Sequence, residues 1–175
     1  TRAGNFIVQN ADFILSIGAR LSTRETGSPM SSWAREAKLA IVDIDPAELR
    51  KFPNFGKPVD VAIESDAKNF VSRFNEILKE ADIPDIAPWQ KQVALWRRTY
   101  QTCTPKQKEE HETNPYVFVD QLSDQLDTGD IIVTDTGCAV AWTLQGFKFK
   151  KGQRLLHAFN NTPMGYALPA AIGAA

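Results

Sequence analysis

Asn10-Ala11-Asp12, Phe13-Ile14-Leu15-Ser16-Ile17 and Gly18-Ala19-Arg20-Leu21-Ser22-Thr23-Arg24-Glu25-Thr26-Gly27 are consecutive pieces of one stretch: a polar turn, an apolar run and a glycine-led loop. A short apolar run bounded by turn residues has the pattern of a strand buried on both faces, as in a parallel sheet. The Gly18 loop then lies at the carboxyl end of that strand, where strand ends and helix starts in open α/β sheets turn backbone donors into one crevice. Arg20 and Arg24 have two readings here, as forked partners of a phosphate or carboxylate or as solvated surface arginines.

The same unit recurs downstream. Residues 33–37 read as a short helix, and Lys38-Leu39-Ala40-Ile41-Val42-Asp43-Ile44-Asp45-Pro46 forms a second strand and loop. Asp43 near the strand end suits a ligand hydroxyl, while Asp45 before Pro46 has the signature of a helix N-cap. A third strand, Val59-Asp60-Val61-Ala62-Ile63, precedes Ser65-Asp66-Ala67 and an amphipathic helix from Lys68 to Glu80 with Phe70, Phe74, Ile77 and Leu78 on one face. Strand and helix alternate three times, which is half of a doubly wound sheet. The fold class is therefore α/β, with parallel-sheet Rossmann-like units in two partial domains joined by a linker.

Residues 1–80 form the first domain. Residues 81–113 form the linker: Ile83-Pro84-Asp85-Ile86-Ala87-Pro88 marks the boundary, and Trp89 to Gln101 reads as a helix. The polar run from Thr104 to Glu112 reads as a solvated excursion that includes His111. Residues 114–175 form the second domain. Asn114-Pro115 caps a helix whose apolar positions Val117, Phe118, Leu122 and Leu126 face inward, and Ile131-Ile132-Val133-Thr134 is a strand ending in Asp135-Thr136-Gly137. Gly137 stands before a helix N-terminus able to accept an anion. The basic segment from Phe147 to Arg154 reads as a solvated loop, and Leu155-Leu156-His157-Ala158-Phe159 as one more strand carrying a structural histidine. Last comes Asn160-Asn161-Thr162-Pro163-Met164-Gly165-Tyr166-Ala167-Leu168-Pro169-Ala170-Ala171-Ile172-Gly173, a polar turn running into a small-residue helix start, suited to backbone approaching a ligand.

Totals narrow the class. A chain of 175 residues with 43% hydrophobic content and a formal charge of −1 has no electrostatic footprint for nucleic acid or an anionic membrane surface. No apolar run approaches the roughly 20 residues of a membrane span, and the N-terminus lacks a signal-peptide layout. Cys103 and Cys138 are too far apart in sequence for metal-ligand spacing, and two cysteines in a chain of this size read as reduced and intracellular. The expected location is cytoplasmic.

Residues 11–27, 40–49 and 132–174, in this order and spacing, resemble the thiamine-diphosphate enzyme family, specifically its acetolactate synthase-like branch. The match covers nearly the whole chain, from the second half of the family's central domain to the first part of its cofactor-binding domain. The resemblance implies that Thr136, Gly137, Cys138 and Ala139 approach the cofactor diphosphate. It likewise implies that Thr162, Pro163, Met164 and Gly165 meet the aminopyrimidine ring, with Met164 as the wedge beneath a bent cofactor. Gly18, Arg20, Asp43, Ile44, Asp66 and Ala67 match positions surrounding FAD or another nucleotide, with a flavin-free scaffold as the alternative, and Arg24 matches a substrate-channel arginine. Cys138 and Ala139 stand where polar residues are usual, Thr162 where glycine is usual, and Ser22 where an acid is usual.

The implied activity is decarboxylation of a small-molecule 2-oxo acid and transfer of the resulting carbanion to an acceptor, the chemistry being the cofactor's. No catalytic residue and no metal ligand is expected within these residues. The activating glutamate is expected before Thr1, and the Gly-Asp-Gly segment that holds magnesium after Ala175. A homo-oligomer, dimer or tetramer, is expected because active sites of the family lie between subunits. The alternative function is a non-catalytic nucleotide-binding or structural module of the same fold.

Overall fold

Helix α1 (Arg2–Gln9) leads into strand β1 (Phe13–Ile17), the one-turn helix α2 (Thr23–Thr26), a 3-10 turn (Met30–Ser32) and strand β2 (Lys38–Asp43). Helix α3 (Pro46–Arg50), a second 3-10 turn (Phe52–Phe55), strand β3 (Val61–Glu64) and helices α4 (Ala67–Leu78) and α5 (Ala87–Thr99) follow. This is a computed structural model and describes residues 1–175. The chain divides into two units, Arg2–Tyr100 and Gln101–Ala175.

In the first unit the sheet order is β1-β2-β3 and both pairings are parallel, with Phe13 beside Lys38, Ile17 beside Val42, Ala40 beside Val61 and Asp43 beside Glu64. Central β2 is buried on both faces, which is why Leu39, Ala40, Ile41 and Val42 are all apolar. Leu39 and Ile41 face a cluster of Met30, Trp33, Ala34, Ala37 and Phe52, against which Ile14 and Val59 pack. Burial of a side chain such as Leu39 or Phe52 contributes about 1.5–3 kcal/mol. Helix α4 packs on β2. Its Phe70, Phe74 and Leu78 are half-buried, whereas Ile77, expected on the same inward face, is 53% exposed.

The short helix expected at residues 33–37 is not formed; the helical turn is Met30–Ser32. Trp33 and Ala34 are drawn into the core, and Ala34 takes a left-handed φ of +44° that ends any helix there. Its peptide is held from both sides. The Ala34 amide donates to Gln9 Oε1 at 2.9 Å, and Lys57 Nζ, on a buried side chain, donates to the Ala34 carbonyl at 2.6 Å.

Helix α5 groups with the first unit, which runs to Tyr100. Aromatic packing accounts for this: α5 lies on α1, with the Phe6 ring stacked on Trp96 at 5.9 Å and on Tyr100 at 4.8 Å.

The second unit contains helices α6 (Pro105–Lys108) and α7 (Pro115–Gln125), strand β4 (Ile131–Val133), helix α8 (Cys138–Gly146), strand β5 (Arg154–Leu156) and helix α9 (Ala167–Ala174). Strands β4 and β5 pair in parallel, Ile131 beside Arg154 and Val133 beside Leu156, with α8 as the crossover. Helix α7 packs on α8 through buried Val119 and Ser123. Phe118, expected to face inward, is 54% exposed, because the buried stripe runs one residue further on. The polar excursion contains a helical turn, α6, whose N-cap Thr104 accepts from the Gln107 amide. The basic segment before β5 folds back on acidic α7: Lys148 Nζ lies 3.1 Å from Asp120 Oδ1 and 2.8 Å from Asp124 Oδ1.

Candidate functional site

The parallel pairing of β4 with β5 continues into the loops that follow, since the Thr134 amide donates to the Leu156 carbonyl at 3.1 Å. Just beyond, Asp135 becomes the hub of the second unit's carboxyl edge. Its Oδ1 accepts from the Thr136 amide at 2.8 Å and the Gly165 amide at 3.2 Å, and its Oδ2 from the Ala167 amide at 3.0 Å. These donors, Ala167 foremost and then Thr136, with Gly165 adding to them, hold the carboxyl below its ordinary pKa of 3.8. One side chain thus fastens two loops far apart in sequence, the turn at 136–139 and the loop at 162–165.

Each loop presents backbone. Gly137 has φ +72° with open space where a Cβ would stand, and it precedes α8 without any side-chain cap. The ladder of α8 starts with the Ala141 amide on the Gly137 carbonyl at 3.5 Å, so the amides of Cys138, Ala139 and Val140 precede it. Gly137, Cys138 and Ala139 are exposed. Such a helix start suits an anion. In the second loop Thr162 has φ +46° and Gly165 φ +86°, and the Thr162 amide donates to the Ala158 carbonyl at 2.7 Å. Met164 is 90% exposed, an apolar side chain held out in solvent.

Asp135, Thr136, Val140, His157, Thr162, Pro163 and Tyr166 line a cavity between these loops whose enclosed volume is ≈ 10 Å³, about the room one water requires. His157 is turned to a local role, its Nδ1 accepting from the Phe159 amide at 3.2 Å.

All eight residues expected at the diphosphate and pyrimidine loops, Thr136, Gly137, Cys138, Ala139, Thr162, Pro163, Met164 and Gly165, lie on these two loops or at the helix start between them. Asp135 was not among them. The signal was present in the sequence as an acid closing an apolar strand just before Thr-Gly, but only the fold brings Gly165 and Ala167 to it.

The first unit gathers the other set. Gly18 and Arg20 follow β1, Asp43 and Ile44 close β2, and Asp66 and Ala67 follow β3, so all six stand at one carboxyl edge of the sheet. The Gly18 amide donates to the Val42 carbonyl at 2.8 Å and the Ser65 amide to the Asp43 carbonyl at 3.0 Å, linking the three loops. Asp43 Oδ1 accepts from the Asp45 amide at 3.0 Å, and Asp66 Oδ1 from the amides of Lys68 and Asn69 at 2.9 and 3.1 Å, which makes Asp66 the N-cap of α4. Asp45 caps α3 through the Ala47 amide. Arg20 Nε lies 3.1 Å from Glu48 Oε1, and Lys51 also contacts Glu48 and donates to the Arg20 carbonyl. That corner keeps two cations for one acid. Arg24 is exposed on α2, the turn of helix that follows the Gly18 loop.

Two family models match the chain. Residues 1–74 match "Thiamine pyrophosphate enzyme, central domain", and residues 135–175 match "Thiamine pyrophosphate enzyme, C-terminal TPP binding domain". Among curated relatives, the acetolactate synthase large subunit of Pyropia yezoensis is 34% identical over 177 residues, covering 99% of this chain and 28% of its own length. The acetolactate synthase isozyme 1 large subunit of Escherichia coli is 31% identical over 174 residues, again 99% of this chain and 29% of the relative. A probable acetolactate synthase large subunit of Methanocaldococcus jannaschii is 32% identical over 180 residues. The chain thus spans under a third of the length of these relatives.

Proposed function

We propose, since the chain belongs to the thiamine pyrophosphate enzyme family and is acetolactate synthase-like, that its second unit cradles thiamine diphosphate in a protein that decarboxylates a 2-oxo acid and joins what remains to an acceptor. When bound, thiamine diphosphate supplies the carbon centre that attacks the substrate carbonyl and accepts electrons as carbon dioxide leaves. The observation carrying this reading is the pair of loops fastened at Asp135, one exposing an uncapped helix start and the other a solvent-facing methionine.

The residues fit the cofactor's chemistry. The amides of Cys138, Ala139 and Val140 at the start of α8 would hold diphosphate oxygens, aided by the helix dipole, without help from the small side chains at 138 and 139. Backbone at Thr162 and Pro163 would border the pyrimidine, and Met164, unbranched and polarizable, would support the ring system. Magnesium is proposed as the diphosphate's counter-ion. Arg24 is proposed to border the substrate channel. Assembly as a homo-oligomer and a cytoplasmic location complete the reading; no helix is long and apolar enough to cross a membrane. Calorimetry on the full-length protein with magnesium should register thiamine diphosphate binding, and pyruvate or a related 2-oxo acid should release carbon dioxide. Absence of both would remove the assignment.

A second ligand is favoured by the first unit, where Gly18, Arg20, Asp43, Ile44, Asp66 and Ala67 share one sheet edge and Ile44 is 70% exposed. FAD is proposed there, with apolar surface from Ile44 and a positive corner at Arg20 and Lys51. The purified full-length protein should then be yellow and release FAD on denaturation; a colourless protein without extractable FAD would leave this edge a bare scaffold.

A further inference from the structure

We infer that Asp135 is a positioning residue that fixes the 162–165 loop in the form that receives the pyrimidine end of the cofactor, an inference that rests on the thiamine diphosphate reading of this site. Three observations point to it. Both carboxylate oxygens are occupied by backbone amides, at Thr136, Gly165 and Ala167, so the group is a fastener between two loops and not a free acid at the site's surface. Within the loop it fastens, Thr162 lies at φ +46°, a left-handed conformation that a β-branched residue seldom adopts unaided. Helix α9, which begins two residues after Gly165, has no side-chain cap of its own; Asp135 Oδ2 accepts from its first amide, at Ala167. Because Met164 is flanked by the Asp135-bound amide of Gly165 and by strained Thr162 two residues before it, its exposed position follows from this clasp and not from packing of its own side chain, which is 90% exposed.

The carboxylate is the right group for the task. Thr136 sits next to Asp135 in the chain and would be held by a shorter reach, whereas Gly165 and Ala167 need an acceptor delivered from β4. An asparagine offers one carbonyl oxygen and turns an amide donor toward another amide: with its oxygen in the Oδ1 place it keeps Thr136 and Gly165 and loses Ala167, and with its oxygen in the Oδ2 place it keeps Ala167 and loses the other two. An alanine leaves all three amides to water.

The test compares the full-length protein with its Asp135→Asn and Asp135→Ala forms in three measurements: calorimetric affinity for thiamine diphosphate with magnesium, affinity for inorganic pyrophosphate with magnesium, and amide hydrogen exchange without ligand. The expected result is faster exchange at both Gly165 and Ala167 in Asp135→Ala and at one of the two in Asp135→Asn, thiamine diphosphate bound about tenfold more weakly, equivalent to about 1.4 kcal/mol, and pyrophosphate affinity within about twofold of the parent because Asp135 holds none of the Cys138, Ala139 and Val140 amides. Unchanged thiamine diphosphate affinity, or unchanged exchange at Gly165 and Ala167, overturns the inference. A parallel loss of both ligands together with a lowered melting temperature overturns it too, since Asp135 would then only be stabilising the unit. If the parent protein itself fails to bind thiamine diphosphate, the functional reading falls instead, and the exchange data alone decide whether the clasp exists.

Discussion

Thr162 holds a left-handed backbone angle, φ +46°, with a β-branched side chain for which that region costs about 1–2 kcal/mol. Replacing it with glycine should raise stability by about 1 kcal/mol, after glycine's extra freedom in the unfolded chain offsets part of the relief, and a shift of the urea midpoint at constant slope would register it. The two thiols should likewise separate by environment. Burial first, and the Asp120 carboxylate second, push the Cys103 thiol above its ordinary pKa, with Lys108 and Lys148 opposing. Cys138 is exposed at the first position of α8. A disulfide reagent at pH 8 should modify Cys138 first and Cys103 about an order of magnitude more slowly, as mass spectrometry of the labelled peptides would reveal. At this scale Gly137 and Met164 were legible as loop residues, because glycine, proline and small polar residues around them are the residues turns favour. The sequence did not single out Asp135, whose partners at Gly165 and Ala167 are set by tertiary structure alone.

Elements were legible where one pattern dominated. Apolar runs bounded by turns marked β1 and β2, and Asp45-Pro46 marked the start of α3. Legibility failed where core packing overrode local preference: Trp33 and Ala34 enter the core and break the helix that their neighbourhood favours, and the α7 stripe settles on Val119 in place of Phe118. Two variants test the elements. Asp66→Ala removes the carboxylate that accepts from Lys68 and Asn69 and should lower stability by about 1 kcal/mol. Leu39→Ala, emptying a site that is 0% exposed on the central strand, should lower it by about 2–5 kcal/mol. Equal losses from the two variants would mean that the sheet core is less closely packed than its burial implies. Asp66 thereby serves the fold of α4 as well as the edge proposed for FAD, with Oδ1 committed to the cap.

For the whole molecule, pH dependence follows from the shifted groups of the second unit. Hydrogen bonding to Lys108, assisted by Lys148, holds the Asp120 carboxyl below its ordinary value of 3.8, and the amides of Ala167, Thr136 and Gly165 do the same for Asp135. A depressed carboxylate stabilises fully above its unfolded pKa and loses that contribution as pH falls through the folded value. Lys108 and Lys148 are raised above 10.5, each chiefly by a side-chain hydrogen bond to an aspartate, so their contribution is complete below that value and fades as pH rises beyond it. Stability should therefore decline below about pH 4, the ordinary carboxylate range, and Asp120→Asn should flatten that decline when urea midpoints at pH 7, 5 and 3.5 are compared. The α/β class was readable from alternation alone, whereas the division after Tyr100 was not, because it depends on Phe6 meeting Trp96 and Tyr100 across the length of a unit.

Every strand pairing in the chain is parallel. No hairpin can start either sheet, so Phe13 must wait for Lys38, Ala40 for Val61 and Ile131 for Arg154 before a ladder forms. During synthesis β4 would emerge with no neighbour until α8 and the segment after it had left the ribosome, and its unpaired backbone would be open to wrong partners for that interval. The fold that lines up loops along one edge of each sheet is thereby also one whose assembly is slow and in need of protection while the chain is incomplete.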